Sequence, residues 1–479
     1  MRRTLVINIA GLSKDLLAEI PSLADLGRRG VVLDLEPVLP AVTCTMQATL
    51  TTGEPPARHG IIGNGLYFFD TAEVRFWEQS AHLVNAPRVW EMPFRNSDFG
   101  IRIEKPKKAA QAKPQSSPSN PKSEIRNPKL KVASLFWQQS MFSSADILLT
   151  PKPVHGPDGR ILSYCYSRPA DLYDRLAAGE SALAPGLPRG PFNLMHYWGP
   201  MAGLPSTRWI ADASLAVWRD ERPDLMLTYL PHLDYSGHRH GPDSMEHRGA
   251  ARDLEPLVAP LVAAAEADGA RLLVLSEYSF VPVRRAIAPN RTLREAGLLA
   301  VREIAGAEHL YPGDCRALAV ADNQVAHIYF PNSPDRDADV RRVRGLLEKL
   351  DGVAEVLGDE EKAARGLDHV RSGDLVALAA PDAHFTYYWW TDDAKAPPFA
   401  RTVDIHSKPG FDAAELFFDP ATCPAGAKAI PLSAERVRGS HGLVPETGEG
   451  WGILVALGGP PELADRKAIR ATEVAHLMV

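Results

Sequence analysis

Three apolar runs set the first limit on this chain: TLVINI at 4–9, LMLTYL at 225–230 and LLVL at 272–275. Short, almost charge-free runs rich in β-branched and aliphatic residues suit strands covered on both faces, as in a parallel sheet. Val31 to Val38 reads as a further, more polar strand. Helical periodicity runs from Lys14 to about Arg28, stopped by Gly30, and again over about 206–220 and 247–268. Strands alternating with helices predict an α/β sandwich with a mainly parallel sheet. Ligands of such sheets sit beyond the carboxyl ends of the strands, so residues just after each apolar run are the first candidates for chemistry.

The 479 residues, 45% hydrophobic and 23% charged, are enough for a large core. A formal net charge of -6 offers no broad basic field and excludes nucleic acid as an expected partner. Cys44, Cys165, Cys315 and Cys423 are widely separated, with no CxxC pair, which excludes zinc knuckles and a dense disulfide framework. No run of about 18 apolar residues offers a membrane span. The opening MRRTLVINIAGLSKD lacks the apolar stretch and cleavage site of a signal peptide, so a cytoplasmic location is expected. Nothing in the chain sets an oligomeric state.

Residues 105–130, rich in Pro, Lys and Ser, cannot bury enough surface to offset chain entropy and are expected to be a disordered insertion in a surface loop. Residues 316–379 have a βαββ-like rhythm: a strand from Ala317 to Phe330, a charged helix from Asp335 to Leu350, Val353 to Val356, and a strand from Asp374 to Ala379. They predict a small α+β cap lobe at 300–380 beside a catalytic domain built from 1–299 and 381–479.

Four polar clusters follow strands or glycines. LPHLDYSGHRHGPD (230–243) places Asp234 and His238 at i, i+4, on one face of a helical turn, as two ligands of one ion require; the plain alternative is a polar loop. In PAVTCTMQATLTTGEPPARHGIIGN (40–64), Thr43 or Thr45 falls near a helix N-terminus, where a hydroxyl suits attack on phosphate and equally suits capping. LVLSEYSF (273–280) ends a strand on an acid, and VRGSHGLVP (437–445) presents a glycine-flanked histidine.

In their order and spacing these segments resemble the alkaline phosphatase superfamily, in its type I phosphodiesterase/nucleotide pyrophosphatase branch, with phosphonoacetate hydrolases as relatives. The likeness spans Thr4 to about Gly459, apart from 105–130. It implies an alkaline phosphatase-like three-layer sandwich and a hydrolase of phosphoric ester or anhydride bonds. Members usually hold two zinc or zinc-like ions at the carboxyl edge of the sheet, and a Thr or Ser attacks phosphorus. Carried over, the nucleophile is Thr43 and the phosphate-binding amide is Asn64. Asp234, His238 and His441 form one complete Zn²⁺ site with an open position. The substrate would be a small phosphorylated or phosphonate compound.

The second ion's ligands depart from the family pattern. Ala10 stands where relatives carry Asp, with Asn8 two residues earlier, and Glu277 and Tyr278 replace an Asp-His pair. Three outcomes stay open: a harder ion such as Mg²⁺ or Mn²⁺ among Asn8, Thr43 and Glu277, a base role for Glu277 or Tyr278 beside one zinc, or binding of a phosphorylated or phosphonate ligand without efficient hydrolysis. A segment at 401–418 offers His406 and Lys408 as substrate contacts, or as an ordered loop. The aromatic run FTYYWWTDD (385–393) and Trp137 face the same choice between pocket and core.

Overall fold

Thr4–Ile9 forms β1 in the middle of a nine-stranded sheet, with every side chain buried. The computed structural model describes residues 2–92, 129–156, 161–405, 407–418, 429–446, 448 and 450–479. Cys423, His406 and all but the last two residues of the 105–130 segment lie outside them. In chain order β1 is followed by β2 (Val31–Glu36), β3 (Val132–Leu135), β4 (Ile147–Pro151), β5 (Cys165–Arg168), β6 (Leu225–Leu230) and β7 (Arg271–Leu275). Four strands of a second sheet come next: β8 (Leu318–Asp322), β9 (Val325–Tyr329), β10 (Val353–Leu357) and β11 (Leu375–Ala379). β12 (Gly452–Leu457) and β13 (Ala468–Arg470) return to the first sheet, whose spatial order is β13-β2-β12-β7-β1-β6-β3-β4-β5. Its neighbours pair in parallel except around β12 and β5.

Alternation along β1 decides the layers. Leu5, Ile7 and Ile9 share a core with Leu23 and Leu26 of α1 (Pro21–Arg29), Leu215 of α3 (Leu204–Asp220) and Leu257 and Leu261 of α5 (Glu255–Ala267). Val6 packs on the other face with Met46 and Leu50 of α2 (Thr43–Thr52). Each such side chain removed from water contributes about 1.5–3 kcal/mol. The period of 2 puts Asn8 on the α2 face, buried and pointing where chemistry is expected. Helices on both faces of a mainly parallel sheet make the expected three-layer α/β fold. Among the described residues no helix is long and apolar enough to cross a membrane.

Several boundaries differ from the expected ones. Ala317 to Phe330 is a hairpin, β8 and β9, turning at Asn323, whose φ of 56° is tolerated by Asn. Both arms are equally buried, so hydrophobic pattern alone does not reveal the turn. The helix expected from Lys14 begins as a 3-10 segment, Lys14–Glu19, before Pro21 opens α1. The 247–268 helix divides into Met245–Arg252 and α5. The second sheet, ordered β8-β9-β11-β10, is antiparallel throughout. The aromatic run turns inward: Phe385, Tyr387, Tyr388, Trp389 and Trp390 are all buried. Trp137 is buried as well and donates to the Gln47 carbonyl beneath α2.

Candidate active site

Three adjacent strands, β7-β1-β6, end at the same sheet edge. Beyond β6, α4 (His232–His240) starts at once and carries Asp234 and His238 one turn apart on its face. Beyond β7 come Glu277 and Tyr278. β12 runs against its neighbours, so the segment leading into it reaches this same edge and delivers His441. Close backbone approach seats that segment: a Cβ at Gly439 would lie 2.4 Å from the Gly237 carbonyl oxygen. A Cβ at Gly237 would lie 2.5 Å from the Phe280 ring. The glycines beside both histidines are therefore packing requirements.

Asp234, His238 and His441 offer ligand atoms that lie within 4.8 Å of one another. Asp234 Oδ1 is 3.6 Å from His238 Nε2 and 3.9 Å from His441 Nε2. Each imidazole turns Nδ1 to a backbone carbonyl, His238 to Gly439 at 2.9 Å and His441 to Ala41 at 2.8 Å. A carbonyl accepts only, so Nδ1 carries the proton and Nε2 a lone pair directed at the site. His238 Nε2 is buried without a hydrogen-bond partner. Burial lowers His238 to about 4 and pushes His441 far down, keeping both rings neutral, as ligands must be. Burial also raises the Asp234 carboxyl to about 7, against the Tyr278 hydrogen bond and the Arg239 charge. An orphaned nitrogen, two oriented neutral imidazoles and one carboxylate fit a divalent ion of the zinc kind.

Thr43 is the first residue of α2, with Val42 as the cap, so its hydroxyl is not spent on capping. It lies at the positive end of the helix. Its Oγ1 is 2.9 Å from Tyr278 Oη, which in turn donates to Asp234 Oδ1 at 3.1 Å. Asn64 accepts the Cys44 N–H at 2.9 Å and gives its backbone N–H and one amide proton to Asp322, at 2.7 and 3.0 Å. The other amide proton is left for a ligand. Asn8 Nδ2 donates to Glu277 Oε1 at 2.6 Å, and burial pushes the Glu277 carboxyl up to about 8. Asn8 Oδ1 and Glu277 Oε2 have no partner.

A cleft of 2310 Å³ opens over Thr43, Asn64, Asp234, Tyr278 and His441. Lys408 is turned away from it: the ammonium is buried between Asp412 Oδ2 and Glu415 Oε1, each at 2.7 Å, and Trp198 Nε1 also donates to Glu415. Of the two roles open to Lys408, substrate contact or part of an ordered loop, the two ion pairs fit the ordered loop. Its neighbours Ser407 and Pro409 do line the cleft. Sequence reasoning missed Asp322, which reaches from the second sheet to hold Asn64. It also missed Arg239, which donates to the carbonyls of Gly199, Pro200, Ala202 and Leu416 and ties the cleft wall to α4. The DN pair at 322–323 was the only local signal for the first, and it reads as a turn.

A family model described as type I phosphodiesterase / nucleotide pyrophosphatase matches residues 4–412. Among solved structures the chain is similar to phosphonoacetate hydrolase from Sinorhizobium meliloti 1021 in complex with phosphonoformate, at 16% identity, over 100% of this chain and 96% of that one, with a TM-score of 0.54. It is also similar to an inactive variant of murine ectonucleotide pyrophosphatase / phosphodiesterase 5 in complex with AMP, at 14% identity, over 100% and 94%, with a TM-score of 0.56. The human counterpart matches at 14% identity, over 99% and 93%, with a TM-score of 0.57. These likenesses show the fold. No curated protein sequence matches the chain significantly.

Proposed function

The chain belongs to the type I phosphodiesterase/nucleotide pyrophosphatase family of phosphoester hydrolases, in the alkaline phosphatase superfamily, and on that premise we propose a metal-dependent hydrolase of P–O bonds with Thr43 as nucleophile. One observation carries the reading: Thr43, Asn64, Asp234 and His441 line one cleft, and the buried His238 completes the three-ligand group with the last two. We read 1–299 and 381–479 as the catalytic domain and 300–380 as its cap lobe, which contributes Asp322.

Asp234, His238 and His441 would hold a zinc ion, which would supply Lewis-acid stabilisation of charge on a phosphoryl oxygen. Thr43 Oγ1 attacks phosphorus from the helix N-terminus, the P–O bond to the departing ester oxygen breaks, the threonine proton ends on that oxygen to give the alcohol, and the phosphoryl group stays on Thr43 with any second ester arm still attached. Water then attacks that phosphorus and returns the threonine hydroxyl. Asn64, fixed by Cys44 and Asp322, donates its remaining amide proton to a non-bridging oxygen, where charge builds. The aromatic side chains of Trp77, Tyr197 and Trp198 line the cleft and exclude water around the ester group.

The changes at Ala10, Glu277 and Tyr278 favour a second reading, a family member that binds a phosphorylated or phosphonate ligand without efficient hydrolysis. Zinc-loaded protein assayed with bis(p-nitrophenyl) phosphate, beside calorimetry with AMP and phosphonoformate, separates the two. Turnover that disappears in Thr43→Ala supports the hydrolase. Tight binding with no turnover supports the binder.

A further inference from the structure

We propose that the protein works with one divalent ion and that the Tyr278 phenol takes the second ion's place as a positioning residue for Thr43. The inference rests on the hydrolase reading and names what holds its nucleophile. The residues present do not fit a second ion. Ala10 offers no side-chain ligand atom, and Asn8 directs an amide N–H at Glu277 Oε1 from 2.6 Å, which occupies that oxygen with a hydrogen bond. Asn8 Oδ1 and Glu277 Oε2 are the two oxygens left there without a hydrogen-bond partner. Among the described residues the one group of three His, Cys, Asp or Glu ligand atoms is Asp234–His238–His441.

Tyr278 fills the gap between that group and the nucleophile. Its ring lies on His441 with centroids 3.6 Å apart and planes 3° from parallel, and Phe280 meets it edge-on at 6.0 Å. The side chain is fully buried, so the hydroxyl has one place to be. A carboxylate only accepts, so the phenol proton points to Asp234 Oδ1. The phenolic oxygen is then left to accept the Thr43 O–H. That fixes the Thr43 rotamer and turns its lone pairs away from Tyr278. The phenol thus orients the nucleophile without changing its own charge.

The test begins with elemental analysis of the full chain, loaded with zinc and dialysed to constant content. About one zinc per chain is expected; two would overturn the proposal. Tyr278→Phe keeps the ring stack and deletes only the oxygen. It should keep the zinc count and the KM for bis(p-nitrophenyl) phosphate, with kcat lower by about 10²-fold, the scale of a misplaced reacting group. An unchanged kcat would overturn the positioning role. If the wild type turns over no phosphodiester, the hydrolase reading fails by itself. The zinc count and a crystal structure of Tyr278→Phe still decide this inference: a Thr43 rotamer that shifts or disorders supports it, and one that stays in place overturns it.

Discussion

Asp234 Oδ1 and His441 Nε2 come within 3.9 Å of each other from distant parts of the chain. What joins them is direction: α4 leaves the carboxyl end of β6, while the chain enters the antiparallel β12 from that same edge. His441→Ala should therefore empty the centre without unfolding the sheet. Zinc affinity should fall by more than the roughly 10–100-fold that loss of an outer hydrogen-bond partner costs. Competition titration with a zinc chelator reads this, and an affinity within twofold of wild type would refute it.

Thr43→Ala is expected to abolish phosphodiester hydrolysis and leave zinc content unchanged, because the three ligands lie on other elements. Thr43→Ser should keep part of the activity, since a primary hydroxyl makes the same attack. Turnover by Thr43→Ala at the wild-type rate removes the nucleophile assignment.

Gly439→Ala tests how tightly the His441 segment must sit. The new methyl would meet the Gly237 carbonyl oxygen at 2.4 Å, backbone that cannot yield cheaply. A loss of about 1–3 kcal/mol is expected from the overpacking, together with weaker zinc binding. Thermal melts with and without zinc check both, and a variant that melts and binds like wild type contradicts the packing argument.

Lys408 serves folding more than chemistry. Burial alone would lower its pKa, and the Asp412 and Glu415 carboxylates outweigh that and raise it. Lys408→Met leaves both carboxylates buried without their cation and should cost about 3–5 kcal/mol in urea unfolding. A loss below about 1 kcal/mol would place this pair in the weak class of exposed ion pairs instead.

Glu473 gives a pH signature. Burial pushes its carboxyl up, but Arg466 and the Arg470 N–H outweigh burial and hold it down at about 2, below the ordinary 4.5. A depressed folded pKa stabilises above the unfolded value, so this contribution is complete above about pH 4.5 and fades as the pH falls toward 2. Glu473→Gln should melt lower than wild type at pH 7, with the gap narrower at pH 3 and closed only as the pH falls through about 2. A gap that is the same at both pH values would show that the charge is not what stabilises.

The layered α/β plan was legible in the sequence because it depends on local pattern. A buried strand such as Thr4–Ile9 must be apolar wherever it lies, and the i, i+4 spacing of Asp234 and His238 places them on one helical face in any context. Thr43 and His441 were legible through the order of their motifs. What pattern could not supply was adjacency. The Asn323 turn hides between two equally buried strands, and Asp322 reaches Asn64 only because the fold sets the end of β8 beside the Asn64 loop. Lys408 looks like an anion contact as a letter, and becomes a buried cation only where the fold sets Asp412 and Glu415 around it. Tyr278 is the sharpest case. In the sequence it is a missing histidine; in the tertiary structure its ring stacks on His441 and its hydroxyl spans Thr43 and Asp234. Residue type and spacing fix what a side chain is able to do, while the charges and lone pairs that the fold brings within about 3 Å of it select what it does.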